Sequence, residues 1–363
     1  MNTVYTYNPN VFSNMQGTDW ERWRSLYKLI GFGVSFADRT DIIKTPVRTT
    51  TPDSLRMPEY QPDFSKTYEE CCLSRVDELV AIQNRLDVPI KILYSGGIDS
   101  SLILTSFIKQ LGVAETAKRV IVLLDQESIH ENPGLWEKFI RPHFRIIDSD
   151  KYGAEFNSTN IIVAGEGNDQ LMGSDIYKDI IRWGGTGILD RAWTEGLIKD
   201  YFLLKGMTSA ESDIWFSRFD QLISHTDCSV VTIADWWWYI NFSCKWSSVY
   251  HRMMFYVQDS NNITHDYMNT YYQQFFNTAD FQLWSMVDRQ HKHRGDYISY
   301  KYHAKDLILD VVKDVRYNVK IKRPSLFNIT KFKYGCDLID SDYKLQYNID
   351  PLNYYNEHND FHA

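Results

Sequence analysis

The chain has 363 residues, which at roughly 100–200 residues per domain allows two domains, or one large domain with an extension. Hydrophobic residues make up 44%, charged residues 24% and aromatic residues 15%, a composition that excludes a chain dominated by disorder. The formal net charge is −8, from 39 Lys and Arg against 47 Asp and Glu, so an extended surface for nucleic-acid phosphates is not favoured. The net charge does not exclude a local basic patch.

The cysteines and the apolar runs indicate the compartment. An odd number of cysteines without CxxC or zinc spacing argues against a disulfide framework and against a cysteine-based metal site. They are Cys71, Cys72, Cys228, Cys244 and Cys336. The first residues, MNTVYTYNPN, lack the basic start and apolar core of a signal peptide, and no run approaches the ~18 apolar residues of a membrane span. We expect a cytoplasmic protein with reduced thiols and no membrane partner.

The chain is predicted to have three parts. Residues 1–68 read as an N-terminal extension, because the Pro/Thr-rich stretch from Thr45 to Pro62 lacks the pattern of regular structure. Residues 69–180 are predicted to form an α/β core. Residues 181–363 are predicted to be mainly helical and rich in aromatic residues, without strands, and Trp236–Trp238 is expected in a core or an interface.

Within the α/β core, strand and helix patterns alternate. Leu73–Leu86 has helical spacing, and Ile90–Tyr94 reads as a short strand followed by a glycine turn and a helix that ends at Gly112. Three further apolar runs predict strands at Val120–Leu124, Phe144–Ile147 and Asn160–Ala164. Short β-branched runs separated by segments of helix length indicate parallel βαβ units, so we predict a doubly wound parallel sheet.

The turn after the first strand, Ser95-Gly96-Gly97-Ile98-Asp99-Ser100-Ser101, has the features of a phosphate loop. Two glycines let backbone amides approach an anion closely, and the following helix adds its positive amino end. Ser95 and Ser100 offer hydroxyls to phosphate oxygens, whereas Asp99 beside a polyphosphate makes sense mainly as a Mg²⁺ ligand. The alternative is a tight turn in which Asp99 only stabilises the helix dipole. Neither a Walker loop nor a dinucleotide fingerprint is present.

A second glycine-rich loop, Ala164-Gly165-Glu166-Gly167-Asn168-Asp169-Gln170-Leu171-Met172-Gly173, follows the fourth strand. Loops that flank a reversal of strand order share one crevice, so Asp99 and Asp169 would meet if strands one and four are neighbours. Two carboxylates beside a polyphosphate repel each other unless a cation such as Mg²⁺ joins them. The alternative is a glycine turn with acids in the first turn of a helix.

The two loops together resemble those of a known family. SGGIDSS resembles the SGGxDS loop of the N-type ATP pyrophosphatases, or PP-loop proteins, and AGEGNDQLMG is similar to the SGEGxDE(L/V)xGG loop of class B asparagine synthetases and β-lactam synthetases. Gln170 and Ser174 depart from that pattern. The resemblance implies that Glu166 acts at the reacting carboxylate and nitrogen and that Asp169 binds magnesium. It also implies nucleotide contacts by Leu93, Leu124 and Gly165.

Weaker matches lie nearer the carboxyl end. The segment 276–280 resembles the family's PFLD segment, 300–305 its K-x-x-L-R helix, and 319–324 its R-x-K segment. The resemblance implies a lysine that neutralises charge around the α-phosphate, a role expected of a cation in such a transition state. Lys322 is the first choice and Lys320 the second, with a solvated surface lysine as the alternative.

These features predict an ATP-dependent, amide-forming synthetase that adenylates a small-molecule carboxylate, releases pyrophosphate and transfers the acyl group to ammonia or an amine. Family members that use glutamine begin with a catalytic cysteine in a glutaminase domain. In this sequence Asn2 follows Met1. We therefore expect ammonia, an amine or a separate glutaminase subunit to supply the nitrogen. Two alternatives stay open: a PP-loop enzyme that adenylates a nucleobase carbonyl in tRNA or another nucleic acid, and a degenerate nucleotide-binding scaffold. The residues expected to bind pyrophosphate are Ser95, Gly96, Gly97 and Ser100, and those expected to hold Mg²⁺ are Asp99 and Asp169.

Overall fold

A computed structural model describes residues 5–6, 38–43, 55–148, 153–173, 176–247, 249–250, 265–287, 292–293, 299–318, 338–339 and 345–346. The chain forms two compact units. The sheet unit comprises Gln61–Asn168 and Asp259–Lys331, and the second unit comprises Met1–Tyr60, Asp169–Gln258 and Phe332–Ala363.

The strands and helices are numbered here in chain order. The strands are β1 (Tyr5–Thr6), β2 (Ile90–Leu93), β3 (Val120–Leu124), β4 (Arg145–Asp148), β5 (Ile161–Ala164), β6 (Tyr272–Gln274), β7 (Leu338–Ile339) and β8 (Leu345–Gln346). The helices are α1 (Tyr68–Leu86), α2 (Ile98–Leu111), α3 (Val113–Arg119), α4 (Gln126–Glu131), α5 (Pro133–Leu135), α6 (Arg141–His143), α7 (Asn168–Leu171), α8 (Tyr177–Gly184), α9 (Glu195–Leu204), α10 (Ser209–Ser224), α11 (Ile233–Cys244), α12 (His265–Thr270), α13 (Ala279–Val287), α14 (Tyr302–Val312) and α15 (Val315–Asn318). A π-helical turn, Trp136–Ile140, lies between α5 and α6, and a 3₁₀ turn, Ile188–Asp190, follows α8.

The sheet unit is built on a five-stranded, all-parallel sheet in the order β4-β3-β2-β5-β6. Ile90 in β2 pairs with Val120 in β3 on one side and with Ile161 in β5 on the other. The four strands predicted from apolar runs are therefore confirmed, and so is an α/β fold with a parallel sheet. The order of strands reverses between β2 and β5, which makes that edge of the sheet the place where loops share a crevice.

The fifth strand corrects the prediction that residues after 180 contain no strands. Tyr272–Gln274 is parallel to β5, with Tyr272 opposite Ile162. A strand of three residues is too short to show an alternating pattern, and its pairing depends on a neighbour more than one hundred positions away in the chain. The buried Arg75 of α1 stabilises it by donating to the side chain of Gln273 at 2.9 Å and the carbonyl of Gln274 at 3.3 Å.

Local signals define the helices that flank the sheet. A capping box between Thr67 and Glu70 starts α1 five residues before the predicted Leu73, because these two residues satisfy each other's backbone N–H groups. Helix α2 ends at Leu111 with Gly112 as its cap, as predicted. Helix α14 packs along α2, and an ion pair between Lys109 and Asp310 at 2.8 Å joins them.

The second unit contains α8 to α11 and a small antiparallel sheet in the order β1-β7-β8. Trp236, Trp237 and Trp238 in α11 are all buried, as the sequence indicated for a core position. Arg39 is also buried, between the rings of Phe242 and Trp246, and burial lowers the pKa of its guanidinium to about 9. The cysteines in the described part of the chain are free and buried. None of the helices described is both long enough and apolar enough to cross a membrane.

Candidate phosphate-binding site

The loop between β2 and α2 is held by its own serines. The hydroxyl of Ser100 accepts from the backbone N–H of Ser95 at 3.1 Å and donates to the carbonyl of Gly97 at 3.3 Å. The hydroxyl of Ser95 accepts from the N–H of Gly97 at 3.3 Å and lies 3.1 Å from the hydroxyl of Ser100. All four residues predicted to bind pyrophosphate therefore lie together in one turn at the amino end of α2.

Gly96 requires a glycine for two reasons. Its φ of +68° is strained for any residue with a Cβ atom, and a Cβ placed there would lie 2.2 Å from the carbonyl oxygen of Ser128. The carbonyl of Gly96 accepts from the hydroxyl of Tyr317 at 3.0 Å and from that of Ser101 at 3.3 Å. The orientation of this peptide is thus set by side chains from α2 and α15.

Buried polar side chains form hydrogen bonds that support this loop. The amide of Asn132 donates to the hydroxyl of Ser101 at 3.0 Å, and that hydroxyl also lies 3.2 Å from the hydroxyl of Tyr317. Burial raises the pKa of Tyr317 well above its ordinary value, which keeps the phenol protonated as a donor. Asp125 caps α4 by accepting from the backbone N–H of Ser128 at 2.7 Å.

Asp99 lies in the first turn of α2 and is paired with a lysine. The ammonium of Lys301, the residue before α14, donates to Oδ1 at 2.7 Å and to Oδ2 at 2.6 Å. The Lys301 side chain is 0% exposed, whereas that of Asp99 is 25% exposed. The ion pair therefore has a buried cation and an anion that reaches solvent.

Two further side chains extend this pair into a chain of hydrogen bonds. The amide of Asn168, at the start of α7, donates to Oδ1 of Asp99 at 2.6 Å. The hydroxyl of Tyr68 donates to Oδ1 of Asn168 at 2.7 Å, and burial raises the pKa of this tyrosine well above its usual range. The Tyr68 ring packs against Trp284, with ring centroids 4.7 Å apart. Asp99 is thereby held in one orientation from two sides.

The second glycine loop meets the first at Gly165. A Cβ atom on Gly165 would lie 3.1 Å from Cβ of Asp99 and 3.5 Å from the backbone nitrogen of Ser100. The next residue, Glu166, accepts through Oε2 from the hydroxyl of Tyr272 in β6 at 3.1 Å. Strands one and four are thus neighbours, which is the condition that the sequence argument set for their loops to share a crevice, and the two loops meet at these residues.

The remaining residues predicted for the site either lie at strand ends, belong to the second unit or fall outside the described part of the chain. Leu93 and Leu124 end the neighbouring strands β2 and β3. Asp169 belongs to the second unit, where its backbone carbonyl accepts from the amide of Asn241 at 3.2 Å, so its approach to Asp99 stays a prediction. The predicted catalytic lysines and one departure from the family pattern lie outside the described residues. They are Lys320, Lys322 and Ser174.

The sequence analysis predicts a magnesium ion bound by Asp99 and Asp169. In the part of the chain that the structure describes, no group of three or more His, Cys, Asp or Glu is arranged to hold a metal ion. Both carboxylate oxygens of Asp99 accept from the ammonium of Lys301, which supplies a cation where a metal ion is predicted. Asp99 as it stands in the structure therefore does not fit the role of a metal ligand.

Lys301, Asn168, Tyr272 and Tyr317 are among the residues at this site that were not selected from the sequence. Lys301 belongs to the segment 300–305 that resembles the K-x-x-L-R helix, and Asn168 lies inside the second glycine loop. Those two positions carried a signal that could have identified them. Tyr272 and Tyr317 carried none, because they are two of 24 tyrosines and only the fold brings them to the site.

Neither a scan against protein-family models nor a search of curated proteins found a match to this chain.

Proposed function

We propose that this chain is an ATP-dependent synthetase of the PP-loop type, which activates a small-molecule carboxylate as its acyl-adenylate and transfers the acyl group to nitrogen. One observation carries the proposal: two glycine-bearing loops at the carboxyl ends of the neighbouring strands β2 and β5 meet at Gly165 and Asp99. This is the edge of a parallel sheet where nucleotides bind. The proposed setting is the cytoplasm, with ammonia, an amine or a separate glutaminase subunit as the nitrogen source.

In the first step, a carboxylate oxygen attacks the α-phosphorus of ATP. The bond between that phosphorus and the oxygen that bridges to the β-phosphate breaks, and pyrophosphate leaves with the bridging oxygen. The loop from Ser95 to Ser100 would bind pyrophosphate through backbone N–H groups and the amino end of α2. Tyr317 would keep the peptide of Gly96 in the orientation that this binding requires.

In the second step, the amine nitrogen attacks the acyl carbon, the bond from that carbon to the AMP oxygen breaks, and AMP leaves. The nitrogen loses a proton, for which the carboxylate of Glu166 is the proposed acceptor. The hydroxyl of Tyr272 donates to Oε2 of Glu166 at 3.1 Å and so orients the carboxylate that is proposed to accept this proton. Lys322, with Lys320 as the second choice, is proposed to neutralise charge at the α-phosphate.

The test is isotope transfer from the acid to AMP. The full chain is incubated with ATP, Mg²⁺, ammonium and a panel of ¹⁸O-labelled carboxylic acids that includes aspartate. Adenylation followed by transfer moves one labelled oxygen into AMP, because the carboxylate oxygen that attacks phosphorus stays with it. Glu166→Gln is expected to retain pyrophosphate exchange into ATP and to lose amide formation. Glu137→Gln, an exposed glutamate that pairs with Arg141, is the matched control and should retain both.

The outcomes separate the candidates. Acid-dependent AMP that carries the label supports the proposal and names the substrate class. ADP in place of AMP would overturn the mechanism. ATP binding without activation of any acid would reject a small-acid synthetase and favour the two alternatives, a nucleobase-modifying enzyme or a nucleotide-binding scaffold.

A further inference from the structure

The strongest unexplained feature of the site is a buried lysine. Lys301 has no exposed side-chain surface, yet lysine is almost never fully buried unless it is paired. Its backbone is left-handed, with φ 61° and ψ 32°, a conformation that residues with a Cβ atom rarely adopt. Such strain persists where the surrounding structure determines it. The fold therefore holds this ammonium at one position, against the first turn of α2.

We infer that Lys301, and not a metal ion, is the permanent counterion of Asp99. Lys301 is thus a positioning residue, because it allows the phosphate loop to bind polyphosphate without a metal ion bound to the Asp99 carboxylate. The inference rests on the proposed phosphate site. Its physical basis is charge. An unpaired carboxylate beside the loop would repel a polyphosphate, whereas Asp99 with Lys301 contributes no net charge.

The arrangement of donors supports this role. Asn168 donates to Oδ1 of Asp99, and Lys301 donates to both oxygens. A magnesium ion on Oδ2 would stand within a few ångströms of the buried ammonium, and two cations that close repel strongly at the effective dielectric of a protein site. The pair therefore disfavours a metal on Asp99 for as long as Lys301 stays in place.

The test measures how strongly pyrophosphate binding depends on magnesium. Pyrophosphate is titrated into the full chain by calorimetry in EDTA and in excess Mg²⁺, and the ratio of the two dissociation constants gives the magnesium dependence. The wild type is expected to bind in both conditions. Lys301→Met keeps an unbranched apolar stem of similar size but removes the counterion of Asp99, so its affinity in EDTA should fall at least about tenfold, as for a lost charged hydrogen bond, with Mg²⁺ restoring most of the loss.

Two variants distinguish this role from a folding defect. The double variant Asp99→Asn/Lys301→Met removes both charges and should return the magnesium dependence to within about threefold of the wild type. Lys109→Met removes a lysine that pairs with Asp310 between the same two helices and should leave that dependence unchanged.

Three results would count against the inference or its basis. It is overturned if the wild type binds pyrophosphate only with Mg²⁺, or if Lys301→Met weakens binding equally in both conditions. Absence of binding in both conditions would reject the phosphate site itself, and with it the proposed function.

Discussion

The hydroxyl of Tyr317 lies 3.0 Å from the carbonyl oxygen of Gly96, although 221 positions separate the two residues in the chain. This hydrogen bond joins α15 to the loop that is proposed to bind pyrophosphate. The Gly96 carbonyl keeps Ser101 as a second donor, so it would not be left without a partner if Tyr317 were changed.

Tyr317→Phe is expected to lower the free energy of unfolding by about 0.5–1.5 kcal/mol, the usual net contribution of one buried hydrogen bond. If the same bond orients the loop, affinity for pyrophosphate should fall several-fold. Urea denaturation and calorimetric titration measure the two effects. Tyr60→Phe, at a half-buried tyrosine of the second unit, is the control and should change neither. A Tyr317→Phe protein with unaltered affinity would show that the bond serves only stability.

Gly96→Ala is expected to be far more damaging than Gly112→Ala. Both glycines have positive φ values, +68° and +78°, so both substitutions introduce backbone strain of about 1–3 kcal/mol. Only at Gly96 would the new Cβ atom meet a neighbour, the carbonyl oxygen of Ser128. We expect Gly112→Ala to lose about 1–3 kcal/mol of stability from strain alone, and Gly96→Ala to lose about 1–3 kcal/mol more from this close contact, together with pyrophosphate binding. Equal losses in a denaturation experiment would contradict the close approach at Gly96.

Asn168→Asp tests the hydrogen-bond chain through its pH dependence. The substitution replaces the amide that donates to Asp99 with a second carboxylate, and Lys301 supplies only one positive charge for the two. Two carboxylates in contact repel each other when both are ionised, and this repulsion disappears where one of them keeps a proton. The variant should therefore lose more stability relative to the wild type at neutral pH than at acidic pH. Asn157→Asp, at a half-buried asparagine whose side chain accepts from the backbone N–H of Thr159, should show no such loss.

Buried thiols are expected to make the fold sensitive to alkali. Burial raises the pKa of Cys71 to about 12, from an ordinary value of 9.0, and burial also raises the pKa of Cys72 and Cys244. The folded state thus keeps protons that the unfolded state loses above pH 9, so the free energy of unfolding falls as the pH rises. Each proton contributes a slope of up to about 1.4 kcal/mol per pH unit.

Denaturation from pH 8 to pH 11 measures that slope, and Cys71→Ala should make it shallower. In the native protein at pH 8, a thiol reagent such as DTNB should react slowly with these cysteines and rapidly after denaturation. Fast labelling of the folded protein would show that the thiols are accessible.

Much of the sheet could be predicted from the chain itself. The sequence runs that form β2, β3 and β5 are mainly apolar because parallel strands are buried on both faces. Burial on both faces requires apolar residues at consecutive positions, which can be recognised in the sequence. The glycines of both loops, and Gly112 at the end of α2, could also be recognised from a few neighbouring residues. Strand β6 was missed because three residues carry no usable period and because Arg75, far earlier in the chain, stabilises it.

At the site, too, some features follow from the sequence and others only from the tertiary structure. The amino-acid sequence by itself determined which residue types stand at the carboxyl ends of the strands, since turn glycines, serines and acids follow from backbone conformation and charge within a few positions. Only the tertiary structure decided that Asp99 is paired with Lys301, that Glu166 accepts from Tyr272 and that Gly96 accepts from Tyr317. These partners are separated by more than one hundred residues, and whether a charge is buried and paired depends on the low-dielectric surroundings that packing creates.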